Sequence, residues 1–159
     1  MKQRIGIGYD VHPLRRGIPF VLGGIAIPYH KGPAGHSDGD VLIHAICDAL
    51  LGAAALGDIG KHFPDTSEEF RDIDSRLLLH KTLEIIRGES FRIGNIDSTV
   101  CLQQPRISRY IPDMVRTLSS VLELGAGQLS IKATTTEGLG FVGKGSGISA
   151  YAVALLERS

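Results

Sequence analysis

Ile5-Gly6-Ile7-Gly8-Tyr9-Asp10-Val11-His12 is the stretch that sets the reading of this 159-residue chain. Ile5, Ile7 and Tyr9 alternate with Gly6, Gly8 and Asp10, the period-two pattern of a β-strand. Residues two apart on a strand share a face, so Asp10 and His12 can grip one ion together. Further along, His36-Ser37-Asp38-Gly39-Asp40 leads into an apolar helix that carries His44. One carboxylate with two or three imidazoles suits a divalent metal such as zinc. Three protein ligands leave a fourth position open, which marks a catalytic rather than a structural site. Asp40 and His44 are four apart on one helical face, so Asp40 is expected to orient an imidazole from behind. His36 and Ser37 lie just before a helix N-terminus, whose free backbone N–H groups favour an anion, above all a phosphate. Ser37 and Asp38 also fit plain helix capping, and the two roles are compatible.

Working outward from these motifs, residues 20–27 with a Gly23-Gly24 break read as a second strand pair or hairpin. Residues 33–36 read as loop. Ser37 or Asp38 caps a helix from near Asp40 to about Leu56-Gly57. That helix is apolar on nearly all sides and is expected to be buried between layers. Residues 58–65 form a polar, turn-rich loop of the kind that carries function. Asp74 caps a second helix from Ser75 to about Arg87. Residues 91–102 read as a strand, and Pro105 starts or precedes a third helix to about Leu124, stopped by Gly125. Strands follow over 129–135 and 147–156, the last with Ala150, Ala152 and Ala154 on one face. The order predicts an α+β chain, a two-layer α/β sandwich with a mixed β-sheet and three main helices, as one domain over 1–159. The pairing order of the strands is not readable from the pattern.

Composition narrows the function classes. Lys and Arg number 17 and Asp and Glu 17, so the net charge is zero. No bulk basic field is present to hold nucleic acid or an anionic membrane. Cys47 and Cys101 sit in apolar segments far apart, as free thiols of a reducing compartment rather than a disulfide framework or zinc knuckle. The N-terminus runs straight into the strand pattern, without a signal-peptide core or an Arg/Ser-rich presequence. The longest apolar stretch, 41–56, is interrupted by His44 and Asp48 and is short for a membrane span. The expectation is a cytoplasmic, bacterial enzyme. The chain has no Trp and 20 Gly, which favours tight turns and ligand sites built from backbone.

A second polar run, Lys132-Ala133-Thr134-Thr135-Thr136-Glu137-Gly138-Leu139-Gly140-Phe141, leaves a strand for a glycine-rich loop. Its hydroxyls and carboxylate can serve phosphate oxygens and a hard cation such as Mg²⁺. Taken alone it reads better as an edge strand with threonines chosen for β propensity. Gly143-Lys144-Gly145 lacks the spacing, and the Ser or Thr after Lys, of a phosphate-binding loop.

Together these motifs, with Leu51-Gly52-Ala53-Ala54-Ala55-Leu56-Gly57-Asp58-Ile59-Gly60 and Phe63-Pro64-Asp65-Thr66, resemble the 2-C-methyl-D-erythritol 2,4-cyclodiphosphate synthase family of the non-mevalonate isoprenoid pathway. The likeness spans essentially the whole chain, with the motifs in order. It implies that 4-diphosphocytidyl-2-C-methyl-D-erythritol 2-phosphate is cyclised by attack of its 2-phosphate on the β-phosphorus, releasing CMP. It further implies Zn²⁺ on Asp10, His12 and His44, and Mg²⁺ or Mn²⁺ on Glu137. His36 and Thr135 match positions that stabilise the transition state. By the same resemblance Asp58, Ile59, Gly60, Phe63, Pro64, Asp65, Thr66 and Ser67 hold the methylerythritol side, and Ser37 binds substrate beside His36. The cytidine side is similar to Leu102, Gln103, Gln104, Pro105, Arg106, Ile107 and Ser108 with Ala133, Thr134 and Thr135, and Thr136 is a further substrate-binding position. The family implies a homotrimer around a central, sheet-lined axis, with sites between subunits and an isoprenoid diphosphate on the axis near Phe141 and Lys144. Arg106 stands where many members have Lys, Lys144 where many have Arg, and Ser146 where Glu is common. Lys144 keeps one positive charge at the axis but loses the planar fork of Arg.

Two other readings compete. A zinc hydrolase would use the metal to activate water, with Asp38 or Asp40 as base, and would give a linear phosphate. A trimeric binding module would carry a saturated, structural metal and show no turnover. The polar apparatus at Thr134 to Glu137 argues against the second, since a structural site needs none.

Overall fold

A computed structural model describes residues 2–158. β1 (Gln3–Arg16) is followed by the short strands β2 (Phe20–Leu22), β3 (Ile25–Ile27) and β4 (Lys31–Pro33). Then come α1 (Val41–Ala53), α2 (Ile59–His62) and α3 (Ser75–Gly88). β5 (Phe91–Cys101), α4 (Ile111–Leu122), β6 (Leu129–Thr134), α5 (Gly140–Gly143) and β7 (Gly147–Arg158) complete the chain. A five-stranded sheet runs β4-β1-β7-β5-β6, and β2 with β3 forms a separate hairpin. β5 and β6 are parallel while the other pairs are antiparallel, so the sheet is mixed. The expected α+β class holds, with α1, α3 and α4 as the three longer helices. Among the described residues, no helix is long and apolar enough to cross a membrane.

The register explains which face of the sheet is core. Gly6, Ala154, Ile96 and Leu129 form one row across β1, β7, β5 and β6. The next rows are Gly8, Ala152, Ser98 and Ile131, then Asp10, Ala150, Val100 and Ala133. In the first two rows the side chains are smallest on β1 and β7, beneath α1, which presents Ala45, Ala49 and Ala53 at four-residue spacing. A Cβ added at Gly6 would collide with the Ala49 carbonyl oxygen, and one at Gly8 with the Ala45 carbonyl oxygen. The helix backbone thus lies directly against the strand. α1 is buried along almost its whole length, as its apolar circumference predicts. Leu42, Ile46 and Leu50 have no exposed surface, and each contributes about 2 kcal/mol by leaving water.

The opposite face of the sheet is the apolar side of the β1 alternation, and it is bare. Ile5 and Ile7 are 76% and 70% exposed, with Tyr9, Val11, Tyr151 and Val153 beside them. Tyr9 and Tyr151 lie across the β1–β7 pair with ring centroids 4.8 Å apart.

Several element boundaries differ from the sequence reading. Lys31–Pro33 pairs with β1, so a strand occupies the start of what reads as loop. The third helix begins at Ile111, so Pro105 precedes it rather than starting it. A single turn over Ser108–Tyr110 precedes it, and Pro112 supplies the favoured proline of the first turn. α4 ends because Glu123 takes a left-handed conformation (φ 54°), before Gly125 is reached. α1 is capped by Asp40 rather than by Ser37 or Asp38. Cys47 is buried and Cys101 half-buried, and both are free. Burial pushes the Cys47 thiol up to about 12, so it is inert as a nucleophile.

Candidate active site

β1 places Asp10 and His12 on its α1-facing side, and the close seat of α1 brings His44 over them. Asp10 Oδ2 lies 2.8 Å from His12 Nε2 and 3.1 Å from His44 Nδ1. The two imidazole nitrogens are 3.3 Å apart. All three ligand atoms lie within 4.8 Å of one another, and this is the only such group of at least three His, Cys, Asp or Glu among the described residues.

The surroundings fix how the rings can bind. His12 Nδ1 lies 2.9 Å from the Ala34 carbonyl, which can only accept, so Nδ1 carries the hydrogen and Nε2 offers its lone pair to the triad. His44 Nε2 lies 3.0 Å from the hydroxyls of both Ser37 and Ser75. Ser37 was expected in this region; Ser75 was not. Two imidazole lone pairs and a carboxylate oxygen in mutual contact repel unless a cation or a proton lies between them. The donor set therefore fits a divalent ion of the borderline class that takes nitrogen and oxygen ligands.

Without an ion, protons take that place. Burial opposes charge on Asp10, but hydrogen bonds and charge from His12 and His44 outweigh it and hold the carboxyl down to about 2. Burial likewise works against a charged His12, yet the Asp10 carboxylate raises it above its ordinary value. The sign of the pH dependence follows. In the metal-free protein the raised His12 contributes stability that is complete below its unfolded value and is lost as pH rises through the folded one. Asp10 contributes stability present above its unfolded value and lost as pH falls toward about 2. A metal needs neutral His12, so its binding strengthens as pH rises through the same range. The gain in Tm on adding Zn²⁺ is therefore expected to grow between about pH 6 and pH 8. Paired thermal melts, with and without Zn²⁺, check this; a gain that is flat or falls with pH would contradict it.

The triad opens into a cleft of about 180 Å³. His36, Ser37, Ile59, Gly60, Phe63 and Asp65, candidate residues from the sequence, line it together with Phe70, Ile73 and Leu78, for which the sequence offers no signal. Phe63, Phe70 and Leu78 form a small apolar cluster of their own beneath the cleft, with Phe63 and Phe70 edge to face at 5.5 Å. Of the other expected residues here, Asp58 caps α2 by accepting from Lys61 N–H at 3.0 Å. Pro64 and Thr66 lie outside the lining. The Ser67 carbonyl comes 3.4 Å from His36 Nε2.

Asp40 does not have the expected role. Its carboxylate is fully buried and accepts from Gly23 N–H (3.0 Å), Gly24 N–H (2.8 Å) and Ile43 N–H (3.1 Å). It closes the β2–β3 turn and starts α1; no imidazole is among its hydrogen-bond partners. Burial, the largest influence, raises its carboxyl above the ordinary range, against the pull of these backbone donors.

Leu102 through Ser108 with Ala133, Thr134 and Thr135 line a second cleft of about 300 Å³. Thr136 and Glu137 continue from it in a turn, where Glu137 N–H donates to Thr135 Oγ1 at 3.2 Å and Gly138 N–H to Gln103 Oε1 at 3.3 Å. Phe141, in α5, and the following Lys144 are exposed and line neither cleft. Asp10 and Ala133 share a sheet row but are separated by β7 and β5, a gap of about 14 Å at ordinary strand spacing. His36 and Thr135, expected to act together, thus fall in different clefts of one chain.

Taken over nearly its whole length, the chain resembles known proteins. The profile of the YgbB family matches residues 3–157. The chain belongs to the YgbB family. A YgbB relative from Porphyromonas gingivalis, named 2-C-methyl-D-erythritol 2,4-cyclodiphosphate synthase, is 54% identical over 153 residues, covering 96% of this chain and 94% of its own length. A solved 2C-methyl-D-erythritol-2,4-cyclodiphosphate synthase in a CDP-bound form superimposes with a TM-score of 0.89 at 35% identity, over 97% of this chain and 100% of that one. The bifunctional IspDF of Campylobacter jejuni gives a TM-score of 0.95 at 37% identity over 99% of this chain, which spans 43% of that longer protein.

Proposed function

We propose that the chain converts 4-diphosphocytidyl-2-C-methyl-D-erythritol 2-phosphate to 2-C-methyl-D-erythritol 2,4-cyclodiphosphate and CMP. The activity is that of its near-full-length relatives and belongs to the non-mevalonate route to isoprenoids. The observation that carries the reading is the Asp10, His12 and His44 triad, with inward ring nitrogens, at the mouth of a cleft that also holds His36. In the proposed reaction an oxygen of the 2-phosphate bonds to the β-phosphorus as the bond to the CMP phosphate breaks. No protein nucleophile is needed, so the residues act by positioning and by neutralising charge.

Asp10, His12 and His44 would hold Zn²⁺, which supplies Lewis-acid withdrawal of charge from a bound phosphate. His36, which lines the first cleft, would donate to phosphate oxygens there, and Ile59, Phe63 and Phe70 would wall the methylerythritol away from water. In the second cleft Thr135 serves phosphate oxygens, and Glu137 is the residue to hold Mg²⁺ or Mn²⁺. The cytidine group is assigned to the cleft between Leu102–Ser108 and Ala133–Thr135, a reading supported by the CDP-bound relative.

The substrate carries both ends in one molecule, while one chain keeps the clefts apart. A trimer that sets the metal cleft of one subunit against the Thr135 cleft of its neighbour resolves this. The bare apolar face of Ile5, Ile7, Tyr9, Val11, Tyr151 and Val153 supports such burial between copies. An isoprenoid diphosphate on the axis would meet exposed Phe141 and the single ammonium of Lys144. The chain is taken to work as one domain in the bacterial cytoplasm.

Phosphorus NMR of the protein with substrate, Zn²⁺ and Mg²⁺ tests the reading: it expects cyclic diphosphate and CMP. A linear phosphate product would favour a zinc hydrolase, and unchanged substrate would remove the synthase reading. In the same assay Glu137→Gln is expected to keep its zinc but to need about tenfold more Mg²⁺ for half-maximal rate, from loss of a charged oxygen ligand. An unchanged Mg²⁺ activation curve would take Glu137 out of the metal site.

A further inference from the structure

We infer that Ser75, held by Asp38, is the positioning residue that fixes which nitrogen of His44 faces the metal. The inference rests on the metal reading of the triad above. Ser75 is fully buried at the start of α3, thirty-one residues from His44 in sequence. Its hydroxyl has one hydrogen and three neighbours, of which Ser37 Oγ at 3.5 Å is the most distant. Asp38 Oδ1 lies 2.5 Å away and His44 Nε2 lies 3.0 Å away.

The Asp38 carboxylate is surrounded by donors. Asp40 N–H reaches Oδ1 at 3.1 Å and Ser75 N–H reaches Oδ2 at 3.0 Å. An ionised carboxylate only accepts, so the Ser75 hydrogen points to Asp38. The lone pairs of Ser75 Oγ are then left to face His44, and the contact is made by Nε2–H donating to Oγ. With its hydrogen on Nε2, a neutral His44 must present a bare Nδ1 to Asp10 and His12, which is the atom 3.1 Å from Asp10 Oδ2.

Ser37 gives a weaker version of the same contact. Its Oγ is also 3.0 Å from His44 Nε2. Gly39 N–H donates to it at 3.4 Å, but no carboxylate is bonded to it to dictate where its hydrogen points. A second consequence concerns placement. Asp38 ties the loop bearing His36 to the start of α3, because its carboxylate holds Ser75 and its N–H donates to the carbonyl of Ile73, just before the helix, at 3.2 Å. Ser75 thus sets the ring in rotation and in tautomer at once.

The test compares Ser75→Ala, Asp38→Asn and Ser75→Thr with the unmodified protein. Zn²⁺ affinity is read by competition with a chromophoric chelator, the visible spectrum is read with Co²⁺ in place of Zn²⁺, and Tm is read on metal-free protein. Losing the partner of a ligating histidine is expected to weaken Zn²⁺ binding by about 10- to 100-fold. The Co²⁺ bands should shift in Ser75→Ala and Asp38→Asn, and Ser75→Thr, which keeps the hydroxyl, should restore both. A merely structural Ser75 would lower the metal-free Tm and leave affinity and spectrum alone, which overturns the inference. If Ser75→Ala fails to fold, Asp38→Asn decides the matter by the same readings. Unmodified protein that binds Zn²⁺ no better than Ser75→Ala overturns the inference alone, whereas unmodified protein that binds no divalent ion overturns the metal reading with it.

Discussion

His44→Ala is expected to strip the protein of zinc and to cut turnover by about a thousandfold or more, since a Lewis-acid metal supplies several kcal/mol of transition-state stabilisation. His44 is the one member of the candidate triad that comes from a helix, and its side chain is 8% exposed. Removing it leaves Asp10 and His12 as a two-ligand site, with Asp10 free to close on His12 at 2.8 Å as a salt bridge. The fold should survive, because the core beneath α1 is carried by Leu42, Ile46 and Leu50 rather than by the imidazole. The void costs about 1–2 kcal/mol, a few degrees in Tm. Zinc content by atomic emission, Tm of metal-free protein and turnover by phosphorus NMR separate the two effects. Turnover within tenfold of normal in zinc-free His44→Ala would remove the triad from the mechanism.

Gly8→Ala is expected to destabilise the protein by about 3 kcal/mol or more, although it adds a single methyl group. The new Cβ would be driven into the Ala45 carbonyl oxygen and against Ala49 N at 2.8 Å. Backbone of a buried helix cannot step aside as a long side chain can, so α1 must lift off β1. His44 precedes Ala45 and would move with it. Lost stability should therefore be accompanied by lost zinc affinity, even though Gly8 bonds to no ligand. Gly52→Ala is the control: the nearest atom to its added Cβ is the Ile7 carbonyl oxygen at 3.9 Å. That change, within α1, is expected to be neutral or to stabilise by about 0.5 kcal/mol. Denaturant melts of both variants check the contrast, and equal effects would refute the close seat of α1 on β1.

How much of this was readable from the sequence depended on how local the signal was. Asp10 and His12 are two apart on a strand, and His44 stands alone among Ala and Leu, so the ligand types were visible. The same stretch concealed which face of β1 is core. Alternation reports a strand, but both a glycine face under a helix and an isoleucine face in the open give it. Asp40 was misread because four-residue spacing to His44 ignores competition. A carboxylate at a helix start turns back to the free N–H of Ile43, and here two glycine amides of the neighbouring hairpin complete its shell. Ser75 was legible as the first residue of α3 and nothing more, since its partners come from Asp38 and His44 through tertiary packing. Pro105 resembled a helix start, yet the chain needed seven residues to line the second cleft before α4 could begin.

The apolar wall beside the triad has a pharmacological consequence. Ile59, Phe63, Phe70, Ile73 and Leu78 border the same cleft as two imidazoles and a carboxylate. A small inhibitor could pair a metal-seeking head with a short aromatic arm, and the arm would lie on hydrocarbon rather than on the polar groups proposed to meet nucleotide and phosphate. Such a compound would need no charge mimicking a diphosphate, and so could cross membranes that exclude the substrate.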